Sequence, residues 1–226
     1  MASLKEVKGR IASVNNTRKI TSAMKMVASA KLHKAQAAIE SMLPYERRLH
    51  HILTDFMSNC TEVTSPFIVK REVKKVAVVV FASNTSLCGG FNANVIRHLV
   101  DLLAEYKPLG LENILVFPVG KKVADAVRKL GFRIEGDFQH MADKPSYQEA
   151  ADLAADLMKR FLHGDVDKVE LLYNHFKSTA SQILTRETYL PIDLNNEKKE
   201  EERTIDYILE PSAEELMQEM LPKVLR

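Results

Sequence analysis

The most constraining feature of this sequence is a long N-terminal stretch without helix breakers. Between Gly9 and Gly89 there is no glycine, and no proline precedes Pro44. Apolar residues recur along it at steps of three and four, which predicts one helix over residues 3–58 with a kink near Pro44 and a shift in phase near Thr17. At 1.5 Å per residue such a helix spans roughly 80 Å, so it must protrude from any globular core.

The apolar stripe on this helix is narrow, and alanines in its middle permit close approach of a neighbouring helix. A stripe of this width is typical of a coiled-coil seam rather than of a face buried against a globular core. Residues 1–50 contain ten Lys and Arg against three Glu, a net charge of +7, whereas the whole chain carries +2. The basic arm therefore predicts an acidic partner, which could be nucleic acid, anionic lipid or an acidic protein surface.

From residue 73 onward the sequence alternates between strand and helix patterns. The run "KKVAVVVFAS" predicts a strand buried on both faces, followed by an amphipathic helix with Asn92 as its N-cap. Ser146 and Glu149 form a capping box before a later helix. Further strands are predicted at "NILVFPV", "FRIEGDF", "KVELLYNHF" and "SQILTRETYLPI", the last two as an antiparallel pair. This order predicts a doubly wound, Rossmann-like α/β domain over residues 73–192.

Two further segments complete the predicted organisation of the chain. Residues 59–72 form a polar linker between the helical arm, residues 1–58, and the α/β domain. Residues 193–226 begin with the charged run "NNEKKEEER", which predicts a solvated loop, and end with the start of another helix.

The segment "SNTSLCGGFNAN" lies where a doubly wound fold would bind a phosphate, in the turn after the first strand. Gly89 and Gly90 are adjacent, which does not fit Gly-x-Gly-x-x-Gly, and no Lys-Ser/Thr pair follows them as a P-loop requires. Cys88 near a helix N-terminus could be a nucleophile, but a phosphatase loop would place Arg where Asn94 stands. A structural turn is favoured; the alternative is a small α/β nucleotide-binding or thiol enzyme with a helical oligomerisation arm.

Composition excludes several other classes of protein. The two cysteines, Cys60 and Cys88, form no Cys-x-x-Cys motif, and no His-Glu-x-x-His spacing occurs, so neither a metal site nor a cofactor is predicted. No apolar run approaches the roughly 20 residues of a membrane span. The N-terminus has the pattern of neither a secretory signal nor a transit peptide, which predicts a chain on the cytoplasmic side.

Four segments of the sequence resemble one known family. The run "LKEVKGRIASVNNTRKITSAMKMVASAKLHKAQ" closely resembles the N-terminal helix of the gamma subunits of F-type ATP synthases, and "SLCGGFNANV" resembles that family's loop after the first central strand. The segments "VELLYNHFKS" and "YILEPSAEEL" fit the family as well. The resemblance extends over the whole chain in order.

The resemblance implies a non-catalytic, central-stalk rotor that binds no cofactor. Its N-terminal helix would form half of an antiparallel coiled coil inside a ring of alpha and beta subunits, and its α/β domain would sit against the epsilon subunit and the membrane c ring. Proton-driven rotation of that ring would then drive conformational change in the catalytic subunits. The implied location is the cytoplasmic side of a bacterial plasma membrane, as a peripheral subunit without nucleic acid.

The resemblance also assigns two groups of contact residues. On the shaft, facing the acidic lever loops of the catalytic subunits, it places Arg18, Lys19, Met24 and Lys25. In the foot, near the ring and the small subunit, it places Asp206, Tyr207 and Glu210.

The family usually continues for about sixty residues beyond the point where this sequence stops, through a long C-terminal helix. The seam of the N-terminal helix is therefore expected to lack its usual mate. We expect self-association through residues 3–42 and poor transmission of torque by this form of the chain.

Overall fold

The computed structural model describes residues 3–59, 65–192, 221–223 and 225. By its internal contacts the chain separates into two compact units, Met1–Ile52 and Leu53–Arg226. Helix α1 covers Leu4–Asn59, so the predicted long N-terminal helix is confirmed. Pro44 lies inside this helix and does not end it.

The second unit contains a five-stranded mixed sheet flanked by helices. The strands are β1 (Val76–Phe81), β2 (Ile114–Val119), β3 (Arg133–Ile134), β4 (Lys168–Ser178) and β5 (Ser181–Leu190). The helices are α2 (Phe91–Tyr106), α3 (Lys121–Leu130), α4 (Gln139–Asp143) and α5 (Tyr147–His163). Two short 3₁₀ turns, Lys107–Leu109 and Leu111–Asn113, connect α2 to β2.

The sheet has the order β3-β2-β1-β4-β5. The first four strands are parallel and β5 is antiparallel to β4, which confirms both the α/β fold and the predicted hairpin. β1 lies at the centre because all its residues from Val76 to Val80 are buried, as its unbroken apolar run requires.

Helices cover both faces of the sheet and create two hydrophobic layers. One layer joins α2 and α3 to the sheet through residues such as Leu99 and Val127. The other joins α5 to the opposite face through Phe161 and includes two residues distant in sequence, Phe67 and Leu221. Part of the segment predicted as a polar linker therefore packs into the core through Phe67.

Three local predictions differ from the structure. Asn92 is not the N-cap of α2: Gly90 takes that position, and Asn92 is a buried residue of the first turn. "FRIEGDF" forms a strand only at Arg133–Ile134, and the unpredicted helix α4 follows it. Only half of the predicted capping box is present, because Ser146 accepts a bond from the Glu149 amide while the Glu149 carboxylate lies 3.2 Å from His140 Nδ1.

A buried carboxylate joins β4, β5 and α2. Glu170 is 1% exposed, and its oxygens lie 2.5 Å from Lys168 Nζ and 3.0 Å from Arg186 Nε. Tyr106 Oη donates a third bond to it at 2.8 Å. Burial alone would raise the pKa of Glu170, but the hydrogen bonds from Arg186, Lys168 and Tyr106 outweigh that effect and hold the pKa below its ordinary value.

Candidate partner-binding surface and the loop after the first strand

Helix α1 presents large apolar side chains to solvent along its length. The most exposed of them include Leu4 at 74%, Val14 at 67% and Val27 at 59%. Rows of water-facing apolar residues are typical of a surface that a partner covers. α1 is therefore the principal candidate for binding a partner protein. Its residues 4–45 are called the α1 surface.

The apolar residues of the α1 surface occupy two different sides of the helix. Leu4, Val7, Ile11 and Val14 form one row, and Ile20, Met24 and Val27 form a second. Because each residue advances the helix by about 100°, the second row is rotated by roughly 140° to 160° from the first. The helix is continuous between the rows, so the phase shift predicted near Thr17 rotates the apolar side without breaking the helix.

Polar side chains at the phase shift bond to the backbone of their own helix. Thr17 Oγ1 donates to the Ser13 carbonyl at 3.0 Å, and Thr21 Oγ1 donates to the Thr17 carbonyl at the same distance. Such bonds satisfy a hydroxyl without any partner outside the helix. Between the two apolar rows the helix therefore carries threonine hydroxyls whose hydrogen bonds are satisfied by its own backbone.

The four shaft residues assigned by resemblance are all exposed on α1, but they do not form a single patch. Arg18 and Lys25 are seven residues apart and lie on one side of the helix, while Lys19 lies about 100° round from Arg18. Met24 belongs to the apolar row with Ile20 and Val27. A helix packed against the Met24 side would leave Arg18 and Lys25 facing outward.

The foot residues assigned by resemblance, Asp206, Tyr207 and Glu210, lie outside the described residues. The end of that segment is described at residues 221–223 and 225. Leu221 is fully buried in the core layer on the α5 side, and the Tyr189 hydroxyl donates a hydrogen bond to the Leu225 carbonyl. These contacts anchor the last described residues to the sheet domain.

The loop between β1 and α2 is organised by the buried amide of Asn92. Its Oδ1 accepts a bond from the Ser83 amide at 3.0 Å, and its Nδ2 donates to the Thr85 carbonyl at 2.8 Å. Asn92 therefore satisfies two backbone groups of the loop segment that follows β1. This role explains why an asparagine stands in the first turn of α2, although it does not cap that helix.

Cys88 belongs to the same network. Its sulfur lies 3.1 Å from Asn92 Nδ2 and 3.8 Å from Ser83 Oγ, and the thiol points to the Thr85 carbonyl at 3.7 Å. The side chain is half-buried. A thiol engaged with three loop partners fits a structural turn, which was the favoured interpretation of this segment.

Asn84 was not singled out from the sequence, yet it connects three elements. Its Oδ1 accepts the first amide of α3, from Lys121, at 2.7 Å, and its Nδ2 donates to Asp143 at 2.7 Å and to the Gln139 carbonyl. The N-terminus of α3 is a place where a phosphate could bind, and here a side chain of the protein already occupies one of its donors. An asparagine three residues after a buried strand was the available signal.

Two findings concern sites in general. Within the described part of the chain, no three His, Cys, Asp or Glu side chains are grouped so that they could hold a metal ion. None of the described helices combines the length and the apolar character needed to cross a lipid bilayer.

Sequence comparison finds a matching family and closely similar relatives. Residues 3–226 match the family described as ATP synthase. The ATP synthase gamma chain of Phocaeicola vulgatus is 79% identical over 228 residues, a match that covers all of this chain and 79% of the relative. The ATP synthase gamma chain of Bacteroides thetaiotaomicron is 60% identical, with the same coverage.

Structural comparison finds the same fold in two solved assemblies. The match in the Tetrahymena thermophila mitochondrial ATP synthase central stalk and c ring has a TM-score of 0.58 at 21% identity, and covers 91% of this chain and 89% of that one. The match in the Euglena gracilis mitochondrial ATP synthase rotor has a TM-score of 0.51 at 18% identity, and covers 83% of this chain and 62% of that one.

Proposed function

The chain belongs to the ATP synthase gamma chain family, and we propose that it couples proton-driven rotation of a membrane c ring to conformational change in the catalytic subunits. In this role it is a non-catalytic, peripheral component of the central stalk on the cytoplasmic side of a bacterial plasma membrane. Its partners are the alpha and beta subunits, the epsilon subunit and the c ring, and it needs neither a cofactor nor nucleic acid.

The observation that carries this proposal is α1. It is a 56-residue helix whose apolar rows are solvent-exposed, with basic residues beside them. A rotating shaft needs a stiff element, and a long helix supplies stiffness because each backbone amide bonds within the same element. The exposed rows supply the surface on which a second helix and the surrounding subunits can pack.

Three of the four proposed contacts with the catalytic subunits are basic, and together with Met24 they occupy different sides of α1. Arg18 and Lys25 lie on the side away from the Met24 row, so they remain available when that row is covered. Basic side chains there would attract acidic loops and guide them to the shaft as it turns. We propose Arg18, Lys19, Met24 and Lys25 as contacts with the catalytic head, and Asp206, Tyr207 and Glu210 as contacts in the foot.

The test is co-purification followed by a coupling assay. The chain is co-expressed with the alpha and beta subunits of the Phocaeicola vulgatus enzyme, and we expect a stable complex that hydrolyses ATP. With the remaining subunits in membrane vesicles, ATP should drive proton uptake, at a lower rate than with the Phocaeicola vulgatus gamma chain. Failure to form the complex, with a folded chain, would overturn the proposal.

Charge-neutral variants test the contact residues. The triple variant Arg18→Gln, Lys19→Gln, Lys25→Gln should lower ATP-driven proton pumping by about tenfold, because three charge pairs are lost. Arg97→Gln, Lys129→Gln, Lys144→Gln removes the same charge from exposed positions of the sheet domain and serves as the control. Equal pumping in the two variants would remove these three residues from the proposed interface.

A further inference from the structure

A cavity of about 300 Å³ opens between α4 and α5. One wall is apolar and consists of Phe138, Met141 and Leu153. Leu153 is a core residue at 7% exposure, and the Phe138 ring lies 6.4 Å from that of Phe117 in β2. The wall is therefore an extension of the hydrophobic core and has a fixed shape.

Four carboxylates surround this wall: Asp137, Glu149, Asp152 and Asp156. Asp156 pairs with Arg160 at 2.8 Å, and Glu149 lies 3.2 Å from His140. Arg160 is held in turn by a second carboxylate, Glu135, at 3.1 Å. Two of the four carboxylates thus have a basic neighbour.

Asp137 and Asp152 accept hydrogen bonds only from neutral donors within the described part of the chain. Asp137 accepts the Gln139 amide at 3.2 Å, and Asp152 accepts Gln148 Nε2 at 2.9 Å. Both side chains are exposed at the rim of the cavity. The cavity therefore joins a rigid apolar wall to two negative charges that have no cationic partner among the described residues.

This combination matches the chemistry of a lysine or arginine side chain. Such side chains lay an aliphatic stem along apolar surface and keep the charged head for a carboxylate. A volume of about 300 Å³ is at the lower end of ligand pockets and accommodates one or two side chains. We propose that this cavity is a docking site for a basic polypeptide segment of a partner protein, which inserts a Lys or Arg beside an apolar residue.

A polypeptide fits better than a small cation because the cavity has only one apolar wall. A free diamine would leave much of its surface in water, whereas a side chain carried by a folded partner is already positioned and gains contacts outside the cavity. The inference rests on the proposed function only in requiring that the chain work within an assembly of several proteins.

The test uses the isotope-labelled full chain and a defined probe, acetyl-Arg-Leu-Arg-amide, followed by NMR. We expect saturable shifts of the Met141 and Leu153 methyl groups and of the Asp152 amide. The double variant Asp137→Asn, Asp152→Asn should weaken probe binding by about tenfold, since both unpaired charges are removed. Asp101→Asn, Glu112→Gln removes two exposed carboxylates elsewhere in the domain and should leave binding unchanged.

Three outcomes would overturn the docking site. They are equal shifts of the same resonances with acetyl-Glu-Leu-Glu-amide, the same shifts with magnesium chloride alone, and unaltered probe affinity in the double variant. The measurement is made on the isolated chain, so its failure leaves co-purification with the alpha and beta subunits unaffected. Conversely, a chain that binds the probe but fails to co-purify would overturn only the proposed function.

Discussion

Single side chains in this molecule matter mainly where they join elements that are far apart in sequence. Arg186 in β5 contacts Glu170 in β4 and Glu105 in α2. The two carboxylates differ in burial, since the Glu170 side chain is 2% exposed and that of Glu105 is 56% exposed. They form a matched pair for measuring what burial adds to an ion pair.

We expect Glu170→Gln to lower the free energy of unfolding by about 2 kcal/mol, because Lys168 and Arg186 lose a buried counter-charge. The partial exposure of Arg186 keeps the cost below that of a fully buried pair. Glu105→Gln, the control, should cost less than about 1 kcal/mol because its ion pair is exposed to solvent. Urea titration of the two variants measures both values, and equal costs would contradict the role of burial.

The same glutamate predicts a pH dependence. The folded-state pKa of Glu170 lies below its ordinary value of 4.5, so the folded state favours the charged form. Its contribution to stability is present in full above about pH 4.5 and is lost as pH falls through the folded-state pKa. The stability difference between the native chain and Glu170→Gln should therefore shrink below pH 4.5. A difference that stays constant down to pH 3 would be incompatible with this account.

The Asn92 network gives a second prediction for a single side chain. Asn92→Ala should destabilise the domain by about 2 kcal/mol, because the Ser83 amide loses its acceptor and the Thr85 carbonyl loses one of its donors. Cys88→Ala should cost less than about 1 kcal/mol and leave coupling intact, since sulfur forms weak hydrogen bonds. Thermal melting measures these changes in stability, and Asn94→Ala, at an exposed neighbouring position, is the control. Loss of coupling in Cys88→Ala would show a further role for the loop.

At the scale of elements, two glycines illustrate opposite constraints. Gly120 joins β2 to α3 with φ of +117°, and a Cβ there would collide with the Ala82 carbonyl. Gly9 lies within α1, and a Cβ there would meet nothing within 4 Å. The junction thus requires glycine for its geometry, whereas the helix only tolerates it.

Gly120→Ala should therefore destabilise the sheet domain by more than about 2 kcal/mol, through backbone strain and the collision with the Ala82 carbonyl. Gly9→Ala should raise the helicity of α1 and stabilise it by about 0.5–1 kcal/mol, because alanine loses less backbone entropy. Circular dichroism and chemical denaturation report the two effects separately. A tolerated Gly120→Ala would show that the β2–α3 junction can adopt another conformation.

At the scale of the whole molecule, the exposed rows of α1 predict self-association of the isolated chain. Ile20→Lys with Val27→Lys should weaken association by at least about tenfold, since two apolar contacts become charged. Ser22→Lys with Ser29→Lys adds the same charge at the same spacing on the other side of α1. Sedimentation equilibrium distinguishes the variants, and a strictly monomeric native chain at high micromolar concentration would contradict the prediction.

The sequence by itself determined the elements whose signal is local. The spacing of apolar residues predicted α1, because a helix repeats every 3.6 residues whatever surrounds it. The unbroken run "VAVVV" predicted a strand buried on both faces, and β1 is that strand. The resemblance of four segments led to the family, which the comparisons confirmed.

Only the tertiary structure decided which side chains meet. Asn92 has the residue type of an N-cap, but Gly90 takes that position. The Asn92 side chain instead accepts a hydrogen bond from the Ser83 amide in the loop after β1. The hydrogen bonds and ion pairs to Glu170 and the cavity beside Asp152 depend on elements that are adjacent in space and separated in sequence. Periodicity records the side of an element that is buried, whereas a hydrogen bond or a cavity depends on the positions of two elements at once, which packing alone fixes.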